Sequence, residues 1–214
     1  MPLFGSLHLV SLAALALLGA VLLLVSARWM DAKGRRRYEY ALALFILLEE
    51  SCDLGSQYYL HGVPLAEALP LHLCGLTILL VAVLLISHHP GLFQLLFYWG
   101  ISGAMLSIFT PEEKYPFPDL HFFTYFLSHG LIIIGVLHMV LNHGMRPTLR
   151  GMGAAIAVLN LYMLCLFPIN LLLGANYLFL MEKPHAATPL DYMGAWPWYI
   201  LAAEFVGVAV FLLC

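Results

Sequence analysis

Seven apolar runs, each close to the length needed to cross a lipid bilayer, follow one another along this chain with short polar breaks between them. They cover roughly residues 6–28, 38–60, 69–87, 91–109, 120–143, 149–174 and 195–214. A hydrocarbon core about 30 Å thick is spanned by about 20 helical residues. Within it, backbone N–H and C=O groups must find partners inside the segment, which favours helices. Composition points the same way. Only 10% of the residues are Asp, Glu, Lys or Arg, against about 25% in a typical soluble domain. So few charges cannot cover a water-facing surface, and lipid is the expected solvent. The expected fold is all-α, a polytopic seven-transmembrane-helix bundle forming a single domain over residues 1–214.

The breaks carry helix-stop chemistry. Asp31 to Arg37 is charged and holds Gly34, Gly62–Val63–Pro64 ends the second run, and His88–His89–Pro90–Gly91 reads as a tight turn. The first run lacks the basic flank and small-residue cleavage site of a signal peptide, so it is expected to stay as the first helix. Arg28, Lys33, Arg35, Arg36, Arg37, Arg146 and Arg150 fall on one side, and Lys114 and Lys183 on the other. The positive-inside rule then places the N-terminus outside and the C-terminus in the cytoplasm. Cys52, Cys74, Cys165 and Cys214 all sit in apolar runs, which is not the pattern of a disulfide framework. No basic patch suggests a nucleic-acid partner.

Ionisable and strongly polar side chains inside spans are expensive and mark candidate sites. Glu49, Glu50 and Asp53 lie on the second run. His72 and Cys74 are expected in the first turns of the third, and His121, Tyr125 and His129 form one stripe on the fifth. Asn170 and Glu204 come near the outer ends of the last two. Nearly all fall in the outer half, leaving the cytoplasmic half comparatively bare, and one outward-opening cavity accounts for the asymmetry. His72 and Cys74, two apart, are not expected to aim at one point from a straight helix. Tyr177, Phe179, Tyr192, Trp196 and Trp198 enrich the last external segment, either as an interfacial belt or as a lip for lipid entry. A triad of His72, His121 and His129 on zinc is conceivable by residue type, but His121 and His129 are about 12 Å apart on one helix.

The strings Leu69–Pro70–Leu71–His72–Leu73–Cys74, Phe97–Tyr98–Trp99–Gly100, Phe122 to Gly130, Asn176 to Leu180, Lys183–Pro184 and Gly194 to Tyr199 occur in that order. Together they resemble the YwaF-like family of bacterial integral membrane proteins, which is similar to the eukaryotic transmembrane protein 164 acyltransferases. The resemblance implies acyl transfer between membrane lipids through an acyl-Cys thioester, with Cys74 as nucleophile and His129 as base. Gly75 stands where many bacterial relatives carry a polar residue, so Glu49 or Glu50 becomes the expected orienting acid. His72, Asn170 and Glu204 are the remaining supporting residues. Tyr125, Asn176, Tyr177, Trp196 and Trp198 are the expected substrate contacts. The implied partner is a membrane phospholipid or lysophospholipid, the implied location the bacterial cell membrane with the site facing the outer leaflet, and no cofactor is required. A seven-span lipid hydrolase and a non-enzymatic lipid-binding protein or transporter are the competing readings.

Overall fold

The computed structural model describes residues 4–111, 115–184 and 188–213; Lys114 and Cys214 lie outside them. All regular structure among these residues is helical: α1 (Ser6–Arg28), α2 (Ala32–Gly55), α3 (Leu65–Ala68), α4 (Leu73–Ser87), α5 (Pro90–Leu96), α6 (Ser102–Phe109), α7 (Leu120–His143), α8 (Leu149–Leu173) and α9 (Trp198–Leu213). A π-helical turn, Ser56–Leu60, extends α2, and another, Phe97–Ile101, joins α5 to α6. Four helical stretches are long and apolar enough to cross a membrane: Ser6–Arg28, Pro90–Phe109, Leu120–His143 and Leu149–Leu173. The apolar helices α4 and α9 are shorter.

Several boundaries match the sequence expectation because the ends are capped. Asp119 accepts a hydrogen bond from the His121 N–H to start α7, and Thr148 accepts from Gly151 N–H to start α8. Gly144 and Gly174 close those helices in the left-handed region, φ 65° in both. Two starts differ. α2 begins at Ala32 rather than near residue 38, because Asp31 caps it and the Lys33–Arg37 run continues as helix instead of loop. α4 begins at Leu73 rather than Leu69. Pro70 follows an extended Leu69 (ψ 143°), and His72 is the extended N-cap (φ −65°, ψ 152°).

The long α7 is the central post. It buries twelve residues, among them Leu131, Ile132, Ile134 and Met139, against α1, α2, α4 and α6. Two glycines make this possible. A Cβ on Gly130 would lie 1.8 Å from the Leu15 side chain on α1, and one on Gly135 would lie 2.4 Å from Val81 on α4. Without side chains there, neighbouring helices approach closely, as small residues permit in membrane bundles. Two ends result: one carries the C-termini of α1, α4 and α7 with the basic run (the basic end), the other the start of α4 and α7 and the loops around Tyr177.

Candidate functional site

At the end away from the basic run, α2, α4, α6, α7 and the 174–184 segment enclose a cavity of about 790 Å³. Its wall includes Glu50, Asp53, His72, Cys74, Ser107, His121, Tyr125, Ser128, His129, Asn176 and Tyr177. That volume lies within the roughly 300–1,000 Å³ range of ligand pockets. The extended backbone at His72 explains why His72 and Cys74 share a wall although they are two apart. Helical geometry begins only at Leu73, so the expected divergence of the two side chains does not apply.

His129 is buried on α7, and its Nδ1–H donates to the Tyr125 carbonyl at 2.6 Å. That bond assigns the proton to Nδ1 and leaves Nε2 as the basic ring nitrogen. Its ring centroid is 4.5 Å from that of Tyr125, whose hydroxyl donates to the Ser107 carbonyl at 3.1 Å. Cys74 is a free, partly buried thiol beside the Ser107 hydroxyl. Its Sγ lies 3.8 Å from the position a Cβ on Gly103 would take, so α6 passes close behind it. His72 Nδ1 accepts from the Leu178 N–H at 3.4 Å, which places the ring's proton on Nε2.

The acids divide differently from expectation. Glu50 and Asp53, three apart on α2, line the cavity together with His129. Glu49 is buried away from it, and neither carboxylate oxygen has a hydrogen-bond partner among the described residues. Asp53, which the sequence places beside Glu49 and Glu50 without giving it a role, is the hub. It accepts from His121 Nδ1–H at 2.8 Å, from Gln57 Nε2–H at 2.7 Å and from the Thr124 hydroxyl. His61 in turn contacts Asp119 at 3.1 Å, beside His121. The i, i+4 spacing of Asp53 and Gln57 was the available signal; its partners on α7 were not legible from one helix.

Two supporting residues hold structure rather than face the cavity. Asn170 is 1% exposed; its Nδ2–H donates to the Tyr177 carbonyl at 3.0 Å, and its Oδ1 accepts from the Tyr177 N–H at 2.9 Å. Both ends of its amide are thus engaged by the Tyr177 backbone. Glu204 accepts from Asn160 in a separate apolar groove between α8 and α9. Asn176 borders the cavity but folds its own loop, donating to the Glu182 carbonyl at 2.8 Å and accepting from the Met181 N–H at 3.0 Å. Tyr177 is 1% exposed, its hydroxyl donates to the Ala66 carbonyl at 2.6 Å, and burial pushes the phenol up from its ordinary pKa. Trp196 donates to the Leu180 carbonyl at 2.9 Å, and it and Trp198 are exposed outside the cavity, as interfacial residues would be. Among the described residues, metal-ligand spacing is found at Glu39, His138 and His143, not at His72, His121 and His129. Tied to the Leu178 amide, to Asp53 and to the Tyr125 carbonyl respectively, these three do not converge.

The profile of the TMEM164 family matches residues 3–214. The chain belongs to the TMEM164 family. An uncharacterized protein of Treponema pallidum (strain Nichols) is 26% identical over 190 residues, covering 85% of this chain and 75% of the relative. No solved structure matches. For a member of this family, the cavity that gathers Cys74, His129, His72 and Glu50 is the strongest candidate for the functional site.

Proposed function

We propose that this protein is an intramembrane acyltransferase that moves a fatty acyl chain between membrane lipids through a thioester on Cys74. The observation that carries the reading is that Cys74 and His129 line one cavity, with the basic Nε2 of His129 fixed by the Nδ1–H bond to Tyr125. His129 Nε2 takes the thiol proton, and the Cys74 sulfur attacks the ester carbonyl of a phospholipid. The carbon–oxygen bond to glycerol breaks, and the leaving alkoxide takes the proton from His129 and departs as a lysophospholipid. The hydroxyl of a second lysophospholipid then loses its proton to His129 and attacks the thioester, and the released thiolate recovers that proton. His72 Nε2–H is the donor available to the oxyanion. Glu50 supplies the carboxylate that favours the transient imidazolium.

A lipid substrate is supported by the groove between α8 and α9, lined by Leu73, Ile156, Leu159, Met163, Leu178 and Val208 among others. Leu73 and Leu178 directly adjoin cavity residues in sequence, so an acyl chain in the groove would lie next to the reacting centre. The same reading takes α1, α2, α4, the α5–α6 unit, α7, α8 and α9 as seven crossings of a bacterial cell membrane. The N-terminus is then outside, and the cavity faces the outer leaflet. The sorting of Arg and Lys to the basic end supports that orientation. A hydrolase is the second reading, because the carboxylate-lined cavity is polar enough to admit water as the acceptor.

The test is transfer between labelled phospholipid and lysophospholipid in vesicles containing the purified protein. Transfer is expected from the wild type, together with a hydroxylamine-sensitive acyl label on Cys74. Unchanged turnover in Cys74→Ala would end the thioester mechanism. Free fatty acid as the sole labelled product would select the hydrolase.

A further inference from the structure

The basic end of the bundle holds a second polar cluster, where the sequence suggested a comparatively bare half. Glu39, two turns into α2, is 1% exposed. Its Oε1 lies 2.6 Å from His143 Nε2 and 3.1 Å from His138 Nε2, both on α7. Its Oε2 lies 2.9 Å from His88 Nε2, at the left-handed C-cap of α4, and 3.2 Å from Arg36 Nη1. Three imidazoles thus present the same ring nitrogen to one buried carboxylate. The oxygen of Glu39 and the nitrogens of His138 and His143 all lie within 4.8 Å of one another.

We propose that Glu39, His138 and His143 form a three-ligand binding site for a divalent first-row transition ion of the zinc class. Imidazole nitrogens with one carboxylate oxygen are the donor set for such ions, whereas magnesium and calcium prefer all-oxygen shells. Zinc bonds of about 2.0–2.2 Å put neighbouring ligand atoms about 3.4 Å apart. The 2.6 and 3.1 Å separations here need to open by less than about 1 Å to admit the ion.

The shell around the ligands fits the assignment. Arg36 holds Oε2 of Glu39 and leaves Oε1 toward the two α7 histidines. Its guanidinium also donates to His88 Nε2 at 3.0 Å and to the Leu85 and Ile86 carbonyls, which holds His88 beside Oε2 and outside the ligand set; it is 36% exposed, so solvent screens its charge. His138 is fully buried, and its Nδ1 lies 3.1 Å from the Asn142 amide and 3.3 Å from Ser26 Oγ. Asn142 Oδ1 is buried with no hydrogen-bond partner among the described residues. Amide oxygen and nitrogen are interchangeable by a half-turn. Exchanging them sets an acceptor against His138 Nδ1, fixes the proton there, and turns the Nε2 lone pair to the ion. Loaded, the site fastens α2 and α7 together at this end. It is separate from the Cys74–His129 cavity and does not depend on the acyl-transfer reading.

The experiment is elemental analysis of full-length protein purified in detergent without a polyhistidine tag, after zinc loading and dialysis. About one zinc per chain is expected in the wild type and in His129→Ala, falling at least about fivefold in His143→Asn. Cobalt substitution of the wild type should give the intense visible absorption of a tetrahedral cobalt–imidazole site, which decides the matter should His143→Asn fail to fold. Wild-type protein with no bound zinc and no cobalt spectrum overturns the proposal. So does a folded His143→Asn protein with undiminished zinc, or a His129→Ala protein that has lost it.

Discussion

The two ends of the bundle use the same residue types to opposite effect. At the cavity end, imidazoles take separate partners: His121 binds Asp53, His72 the Leu178 amide and His129 the Tyr125 carbonyl. Their remaining nitrogens are left around a space of about 790 Å³. At the basic end, His88, His138 and His143 crowd onto Glu39. Dispersed partners with an open centre suit a site that must admit and release a substrate. Convergence on one carboxylate suits a fixed joint. What separates the ends is therefore the aim of the rings rather than their number.

That contrast can be broken by substitution, and the largest effect is expected at the cavity end. His129→Ala should lower acyl transfer by about 10²–10⁴-fold, the usual contribution of a positioned general base, with little change in thermal midpoint. A transfer assay beside a melting curve checks both halves. At the basic end, Glu39→Ala should act on stability instead. Removing one partner of a buried charged cluster costs about 3–5 kcal/mol, visible as a lower melting midpoint in detergent. If Glu39→Ala removed turnover while leaving the midpoint unchanged, the division into a working end and a fastening end would fail. A smaller effect sharpens the comparison. Asn170→Ala leaves the Tyr177 N–H and C=O without their buried partner, at about 1–3 kcal/mol. The cavity wall near Tyr177 should then gain hydrogen exchange while the basic end keeps its protection.

Much of this molecule can be read from its sequence where the controlling interaction is local. The limits of α7 and α8 follow from their caps and apolar runs, and Cys74, His129 and Glu50 line one cavity, in keeping with their depth along each run. The misreadings come from non-local contacts. Glu39 sits beside the arginines, and its burial depends on α4 and α7 folding over it, which no pattern within α2 records. Depth alone points to Asn170 and Glu204. Depth does not say whether a side chain turns toward a cavity, a loop or the Asn160 amide. The start of α4 was misplaced because extended backbone after Pro70 brings His72 to the wall from outside the helix.

The bond from His129 Nδ1 to the Tyr125 carbonyl has one more consequence. Its acceptor is main chain, one turn earlier on the same helix. The tautomer of the ring is thus set by helical repeat alone, whichever side chain occupies position 125. In descent from a common ancestor, the surrounding wall can change its chemistry repeatedly while the imidazole keeps its orientation.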